Sequence, residues 1–271
     1  MLSRDRIAII GAGKLGESLI AGLLNAGTVT RKQIIASARR RERADEIARR
    51  YGIRTTTRNR DAVSAANILL LCVKPQVMLE VLQEIRADVK PRHLVISVAA
   101  SVSTGYIERH LGAKIPVIRT MPNTPCQINE GMTGICRGSF SVDRHVRKAR
   151  RIFDSIGRTV VLDEKHMDAV TGLSASGPAF IYVVIESLAE GGVKVGLSRE
   201  AATELAAQAV LGAARMVLET REHPAKLKDF VTTPAGCTMD GILELEEGGL
   251  RVTLIKAIVK ATARAHELLD S

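Results

Sequence analysis

A chain of 271 residues with 46% hydrophobic side chains and a mean hydropathy of +0.08 reads as soluble and globular, long enough for two domains and a substantial core. No apolar run is expected to reach transmembrane length, and Ile7–Ile10 is too short for a signal peptide and passes straight into glycines. The formal charge of +10 raises nucleic-acid binding, but aromatics are only 3% of the chain and neither basic cluster, Arg39–Arg43 or Arg144–Arg151, lies in a recognition motif.

The first predicted element is a strand at Ile7–Ile10, followed by Gly11-Ala12-Gly13-Lys14-Leu15-Gly16. A helix should follow, since Leu15, Leu19, Ile20, Leu23 and Leu24 fall three and four apart. Strand, glycine turn and helix form the context in which G-x-G-x-x-G binds a dinucleotide. Gly11 makes the tight turn, Gly13 lets the backbone approach a pyrophosphate, and Gly16 allows close helix–strand packing. The second strand, Gln33–Ser37, lacks at its end the carboxylate that an NAD site uses to hold the ribose 2′-hydroxyl. The chain reads Ser37-Ala38-Arg39-Arg40-Arg41 there, and a hydroxyl followed by guanidinium groups suits a 2′-phosphate. NADP, with NADPH preferred over NADH, is therefore expected through Ser37, Arg39 and Arg40. The alternative is a solvated basic helix start.

Short apolar runs then alternate with helical patterns at Ile68–Val73, Leu94–Val98, Val117–Thr120, Thr133–Cys136 and Thr159–Leu162. That alternation predicts βαβ units, a mostly parallel sheet and an α/β fold. From Glu164 onward strand signals stop, which sets an expected boundary between residues 1–163 and 164–271. Phe180–Ile185 is apolar on all sides within a helical stretch and must be buried, so a second subunit is the expected cover. The final helix carries one apolar stripe through Leu254, Ile255, Ile258, Val259, Thr262, Ala265 and Leu269.

Between these helices lies Thr232-Thr233-Pro234-Ala235-Gly236-Cys237-Thr238, ahead of a helical run from about Met239 to Glu247. A helix start gathers free N–H groups and the positive end of a dipole, so this turn suits a small carboxylate. The plainer reading is a proline turn feeding an N-cap threonine. Cys72, Cys126, Cys136 and Cys237 have neither metal nor redox spacing, and the six histidines are scattered. Reduced thiols, a cytoplasmic location and no metal are expected.

Together these segments resemble pyrroline-5-carboxylate reductase. The resemblance rests on Leu173-Ser174-Ala175-Ser176-Gly177-Pro178-Ala179-Phe180, Glu190-Gly191-Gly192-Val193, the turn ending at Thr238, and Leu245-Glu246-Glu247-Gly248-Gly249. Val73-Lys74-Pro75-Gln76 and Arg119-Thr120-Met121-Pro122-Asn123-Thr124-Pro125 join them, so it runs from about Arg6 to Leu269. It implies a Rossmann domain, doubly wound, followed by an all-helical dimerisation domain. It also implies reduction of Δ1-pyrroline-5-carboxylate to L-proline by hydride transfer from NAD(P)H, the last step of proline biosynthesis, in a homodimer that many members assemble into a decamer.

Cofactor contacts implied by the resemblance are Gly11, Ala12, Gly13, Lys14, Leu15, Gly16, Ser37, Asn59, Cys72, Val73, Lys74, Pro75, Val98, Ala99 and Ala100. Without it, Lys74-Pro75 reads as a strand stop and Asn59 as a turn residue. The implied substrate residues are Glu164, Thr171, Thr233, Cys237 and Thr238. Cys237 and Thr238 would offer backbone N–H groups, and Thr238 would hold the ring nitrogen as the catalytic residue. Three positions depart from the family pattern: Ala175, Ala235 and Ser101 stand where glycine is usual. No covalent nucleophile is expected, and neither nucleic acid nor membrane as a partner. Another NADP-linked reductase of hydroxyacids or ketoacids, a non-enzymatic NADP sensor and a basic nucleic-acid binder are the competing readings.

Overall fold

The computed structural model describes Leu2 and residues 4–112, 114–234 and 236–267, so Ala235 and Leu269 lie outside the described residues. Packing divides the chain into Met1–Ser176 with Ala261–Ser271, and Gly177–Lys260.

The first unit runs β1 (Ile7–Ile10), α1 (Lys14–Asn25), β2 (Ile34–Ser37), α2 (Arg41–Tyr51), β3 (Arg54–Thr56), α3 (Asn59–Ser64) and β4 (Ile68–Leu71). It continues with α4 (Met78–Ile85), β5 (Leu94–Ser97), α5 (Thr104–Leu111), β6 (Val117–Met121), β7 (Gly131–Arg137), α6 (Asp143–Phe153), β8 (Gly157–Val161) and α7 (Met167–Val170). One sheet takes all eight strands in the order β3-β2-β1-β4-β5-β6-β7-β8. Every neighbouring pair is parallel except β6 and β7.

The continuous apolar runs follow from burial on both faces of a parallel sheet. Alternate residues of one strand go to opposite layers. Ile7, Ile9, Ile68 and Leu70 pack with Leu19, Ile20 and Leu23 of α1, Ile47 of α2 and Phe153 of α6. Ala8, Ile10, Leu69 and Leu71 pack with Val63 of α3, Leu82 and Ile85 of α4 and Ile107 of α5. The strand order reverses between β1 and β4, the place where an open α/β sheet leaves a crevice at its carboxyl ends.

Residues 164–176 pack with the sheet rather than with the helices, a different division from the 163/164 boundary expected from the sequence. The reason is chemical. Glu164 and Asp168 bond to Thr104 and Arg119, and Met167 is fully buried with Met121 and Cys136. After α7 the chain widens into one π-helical turn, Thr171–Ala175, a form of helix often found at functional sites.

The second unit holds α8 (Gly177–Lys194), α9 (Arg199–Thr220), α10 (Pro224–Phe230), α11 (Cys237–Glu247) and the start of α12 (Leu250–Glu267). Helices α8 and α9 meet through small side chains, Ala189, Ala202 and Ala206, backed by Ile185 and Val193. A Cβ on Gly192 would come within 3.0 Å of the Ala202 Cβ, so glycine permits this close approach. The large apolar side chains point away from that contact: Tyr182, Val183, Leu211, Ile255 and Val259 are exposed in the single chain.

The helical stretches Glu164–Lys194 and Arg199–Thr220 reach mean hydropathies of 1.3 and 1.2 over 18 residues and are long and apolar enough to cross a membrane by length and composition.

Candidate functional site

The glycine turn leaves β1 at Gly11, where φ is +94°. A side chain there would be strained, and its Cβ would lie 2.8 Å from Val73 Cγ1 and 3.0 Å from the Cys72 carbonyl oxygen. At Gly16 a Cβ would come 2.6 Å from the Gly11 carbonyl oxygen and 3.0 Å from Ile9 Cγ2, so α1 can seat on the strand only with glycine. At Gly13 a Cβ would meet nothing within 4 Å. Gly13 is also the N-cap of α1 and offers no side chain, so the N–H groups at Lys14 and Leu15 stay free on the open side of the turn. Free backbone N–H groups at an uncapped helix start suit an anion.

At the end of β2, Ser37 bonds to Asn59 and to the glycine turn. Ser37 is buried at 1% exposure, and its hydroxyl donates to Asn59 Oδ1 at 2.6 Å. The Gly11 N–H approaches the same hydroxyl at 3.3 Å, while the Ser37 carbonyl accepts from Ala12 N at 2.8 Å. Ser37 thus braces the turn from beneath. Asn59 is committed too, donating through Nδ2 to Glu84 at 2.6 Å while its N–H caps α3 onto the same carboxylate. Arg39 and Arg40 are exposed and make no ion pair among the described residues. Arg40 is the N-cap of the 11-residue helix α2 and provides no side-chain cap.

Cys72–Pro75 follow the carboxyl end of β4, and Val98–Ala100 follow that of β5. Lys74 and Pro75 are exposed, Val73 rests against Gly11, and Val98 and Ala99 are buried. Burial pushes the Cys72 thiol up to about 12, so at neutral pH it is a protonated wall and not a nucleophile. Ser101, one of the glycine replacements, keeps the backbone shape a glycine would give, with φ at +61°, and its hydroxyl donates to the Ala265 carbonyl at 3.0 Å.

The five expected substrate residues fall in different packed units. Glu164 and Thr171 belong to the sheet unit, and Thr233, Cys237 and Thr238 to the helical one. Both oxygens of Glu164 are already engaged, by Thr104 N at 2.7 Å and Thr104 Oγ1 at 2.6 Å, so this carboxylate holds the start of α5. Thr171 donates to the Met167 carbonyl at 2.9 Å. At the other site, α11 begins two residues earlier than expected, at Cys237, with Gly236 as N-cap and no side-chain cap. Thr238 is therefore the second residue of the helix and not its cap. The Met239 N–H is taken by the Gly236 carbonyl, while the Cys237 and Thr238 N–H groups have no partner among the described residues. A Cβ on Gly236 would come 2.5 Å from Thr233 Oγ1, so this glycine lets the threonine hydroxyl close on the turn.

Sequence reasoning missed Arg119 as more than a motif letter. It is buried at 2% exposure in the middle of β6, 3.5 Å from Glu164 and 3.4 Å from Asp168, with its Nε unpartnered among the described residues. An arginine inside an otherwise apolar strand, Val117-Ile118-Arg119, was the available signal, since such a charge stays buried only when paired.

Comparison with known proteins bears on the same residues. A family model for pyrroline-5-carboxylate reductase dimerisation matches residues 164–268, and one for NADP oxidoreductase, coenzyme F420-dependent, matches residues 6–101. Over 267 residues, 98% of this chain and 99% of the relative, it is 43% identical to a pyrroline-5-carboxylate reductase of Methanosarcina acetivorans. The chain belongs to the pyrroline-5-carboxylate reductase family. Pyrroline-5-carboxylate reductase 2 of Homo sapiens is 40% identical over 97% of this chain and 83% of its own. Among solved structures, the Coxiella burnetii pyrroline-5-carboxylate reductase has a TM-score of 0.93 at 35% identity, covering 97% of this chain and 98% of that one. A Plasmodium falciparum pyrroline carboxylate reductase with NADP bound has a TM-score of 0.87 at 27% identity, covering 98% of this chain and 99% of that one. The glycine cradle and the free helix start at Cys237 are thus features of a reductase of this family.

Proposed function

We propose that this family member reduces Δ1-pyrroline-5-carboxylate to L-proline, with the nicotinamide cofactor held at the turn after β1 and the substrate carboxylate at the start of α11. One observation carries the assignment of the cofactor site: an N-terminal helix start without a cap, behind a glycine whose missing Cβ faces open space, at the reversal of strand order. The residues fit the group. Lys14 and Leu15 N–H groups would receive the pyrophosphate, and Arg39, Arg40 and the start of α2 the adenosine ribose with its 2′-phosphate. A carboxylate at the end of β2 would repel that phosphate, and none is there, which supports NADPH over NADH. When bound, the nicotinamide supplies the hydride.

The chain's own work is binding and orientation. Cys237 and Thr238 N–H groups, with the dipole of an 11-residue helix behind them, suit a small carboxylate. The Thr238 hydroxyl is free to hold the ring nitrogen, and Thr233 closes the turn. Fixing carboxylate and ring nitrogen together sets which ring carbon is presented for reduction. Glu164 acts at one remove by holding α5, as its engaged oxygens indicate. The exposed apolar side chains of α8, α9 and α12 support a homodimer, with decamer assembly and a cytoplasmic location as further parts of this reading.

The test is direct. Purified protein mixed with pyrroline-5-carboxylate should oxidise NADPH and yield proline, with little turnover of a panel of 2-keto acids. Folded protein that makes no proline with either nicotinamide cofactor refutes the assignment.

A further inference from the structure

We infer that Arg43, in the first turn of α2, is a positioning residue that locks the glycine turn in its nucleotide-binding shape. The inference rests on the cofactor reading above and deepens it. Most of the arginines in this cluster point to solvent, but Arg43 turns inward, with only 22% of its side chain exposed. Its Nε donates to the carbonyl of Ala12, inside the turn, at 3.0 Å. Its two terminal nitrogens meet Glu17 of α1 at 2.5 Å and Glu46 of α2 at 2.8 Å. Glu17 in turn accepts from Arg50 at 2.8 Å and from the Tyr51 hydroxyl at 2.9 Å.

The consequence is local and geometric. The Ala12 N–H is fixed on the Ser37 carbonyl at 2.8 Å, and the Ala12 carbonyl on Arg43, so this residue is held from both sides. A free carbonyl in such a turn could swing toward the open side and face the phosphates with a negative dipole. Arg43 prevents that by drawing the oxygen toward α2, and Glu17 and Glu46 keep the guanidinium from moving to the phosphates itself. One planar guanidinium serves three acceptors in different directions, which a lysine ammonium on a flexible stem does not reproduce. Arg43 therefore acts on the part of the cofactor common to NADPH and NADH, unlike the outward-facing Arg39 and Arg40.

Calorimetric binding of NADP+ and NAD+ to the full chain tests this, with melting temperature measured beside it. Arg43→Lys keeps the charge for Glu17 but loses the Ala12 bond; a hydrogen bond from a charged group is worth enough that both dissociation constants should rise about tenfold, with their ratio unchanged. Glu17→Gln removes the ion pair between the helices and spares the Ala12 bond, so it should lower the melting temperature and leave both constants within about threefold of wild type. Unchanged binding in Arg43→Lys overturns the inference. So does a loss confined to NADP+, which would make Arg43 a phosphate ligand, and so does a tenfold loss in Glu17→Gln, which would assign the effect to helix pairing. Wild-type protein that binds neither nucleotide refutes the cofactor reading itself and is distinct from all three.

Discussion

Ser101 sets two opposing costs against each other, and its two simplest replacements separate them. The residue sits just past the strand end of β5 with φ at +61°, in a region that costs a residue with a Cβ roughly 1–2 kcal/mol. Its buried hydroxyl donates to the Ala265 carbonyl of α12 at 3.0 Å. A bond of this kind contributes about 1 kcal/mol, and more if its loss strands a buried oxygen. Ser101→Ala keeps the strain and loses the bond, so stability should fall by about 1–2 kcal/mol. Ser101→Gly loses the same bond and adds about 0.4–1 kcal/mol of unfolded-state entropy, yet it removes the strain, so the net change should be near zero. For a chain of this size 1 kcal/mol shifts the melting temperature by about 2–4 °C. Thermal denaturation at one fixed protein concentration should therefore rank wild type and glycine together, with alanine several degrees below. Alanine melting with wild type would show that the bond contributes nothing, and glycine falling as far as alanine would show that no strain is held there.

Arg39→Ala and Arg40→Ala should each weaken NADPH by about 10- to 100-fold while leaving NADH nearly unchanged, read as the ratio of their dissociation constants. Thr238→Ala should lower kcat/KM by about 2- to 150-fold at an unchanged melting temperature, because the side chain is exposed and caps nothing; Thr238→Ser should retain most activity. Val183→Glu, placing a charge on an exposed apolar face of α8, should give monomer or unfolded protein by light scattering at micromolar concentration. Burial alone would raise the Glu17 carboxyl, but hydrogen bonds from Arg43 and Tyr51 outweigh it and hold the group below its ordinary value of 4.5. A depressed carboxyl stabilises fully above the ordinary value and loses that contribution as pH falls through the folded-state one. The melting curves of wild type and Glu17→Gln should thus differ at pH 7 and converge as pH drops below about 4.

The sheet was legible where burial on both faces leaves uninterrupted apolar runs, as in β1, β4 and β5. Strand β3 was not, because Arg54-Thr55-Thr56 forms an exposed edge and no apolar run marks it. The reversed direction of β7 was also hidden, since a run of apolar residues carries no information about which way its neighbour points. At the site, glycines were readable because their spacing reports backbone shape. Side-chain roles were less so. Ser37 and Glu164 both sit where a ligand contact was expected, but each spends its oxygens on protein partners 22 and 60 residues away in sequence. Arg43 was indistinguishable from the arginines beside it until its burial was known.

The outward-facing apolar side chains of α8, α9 and α12 tie activity to the number of chains present. A second copy covering Tyr182, Val183, Leu211 and Val259 would take them out of water, so unfolding would compete with dissociation and both would depend on protomer concentration. Dilution should then inactivate the enzyme before heat does, and a lag should follow when dilute protein is concentrated again. Subunits would exchange between assemblies over the same equilibrium. A defective copy produced beside a sound one would enter mixed assemblies, and its effect in a cell would exceed its share of the chains.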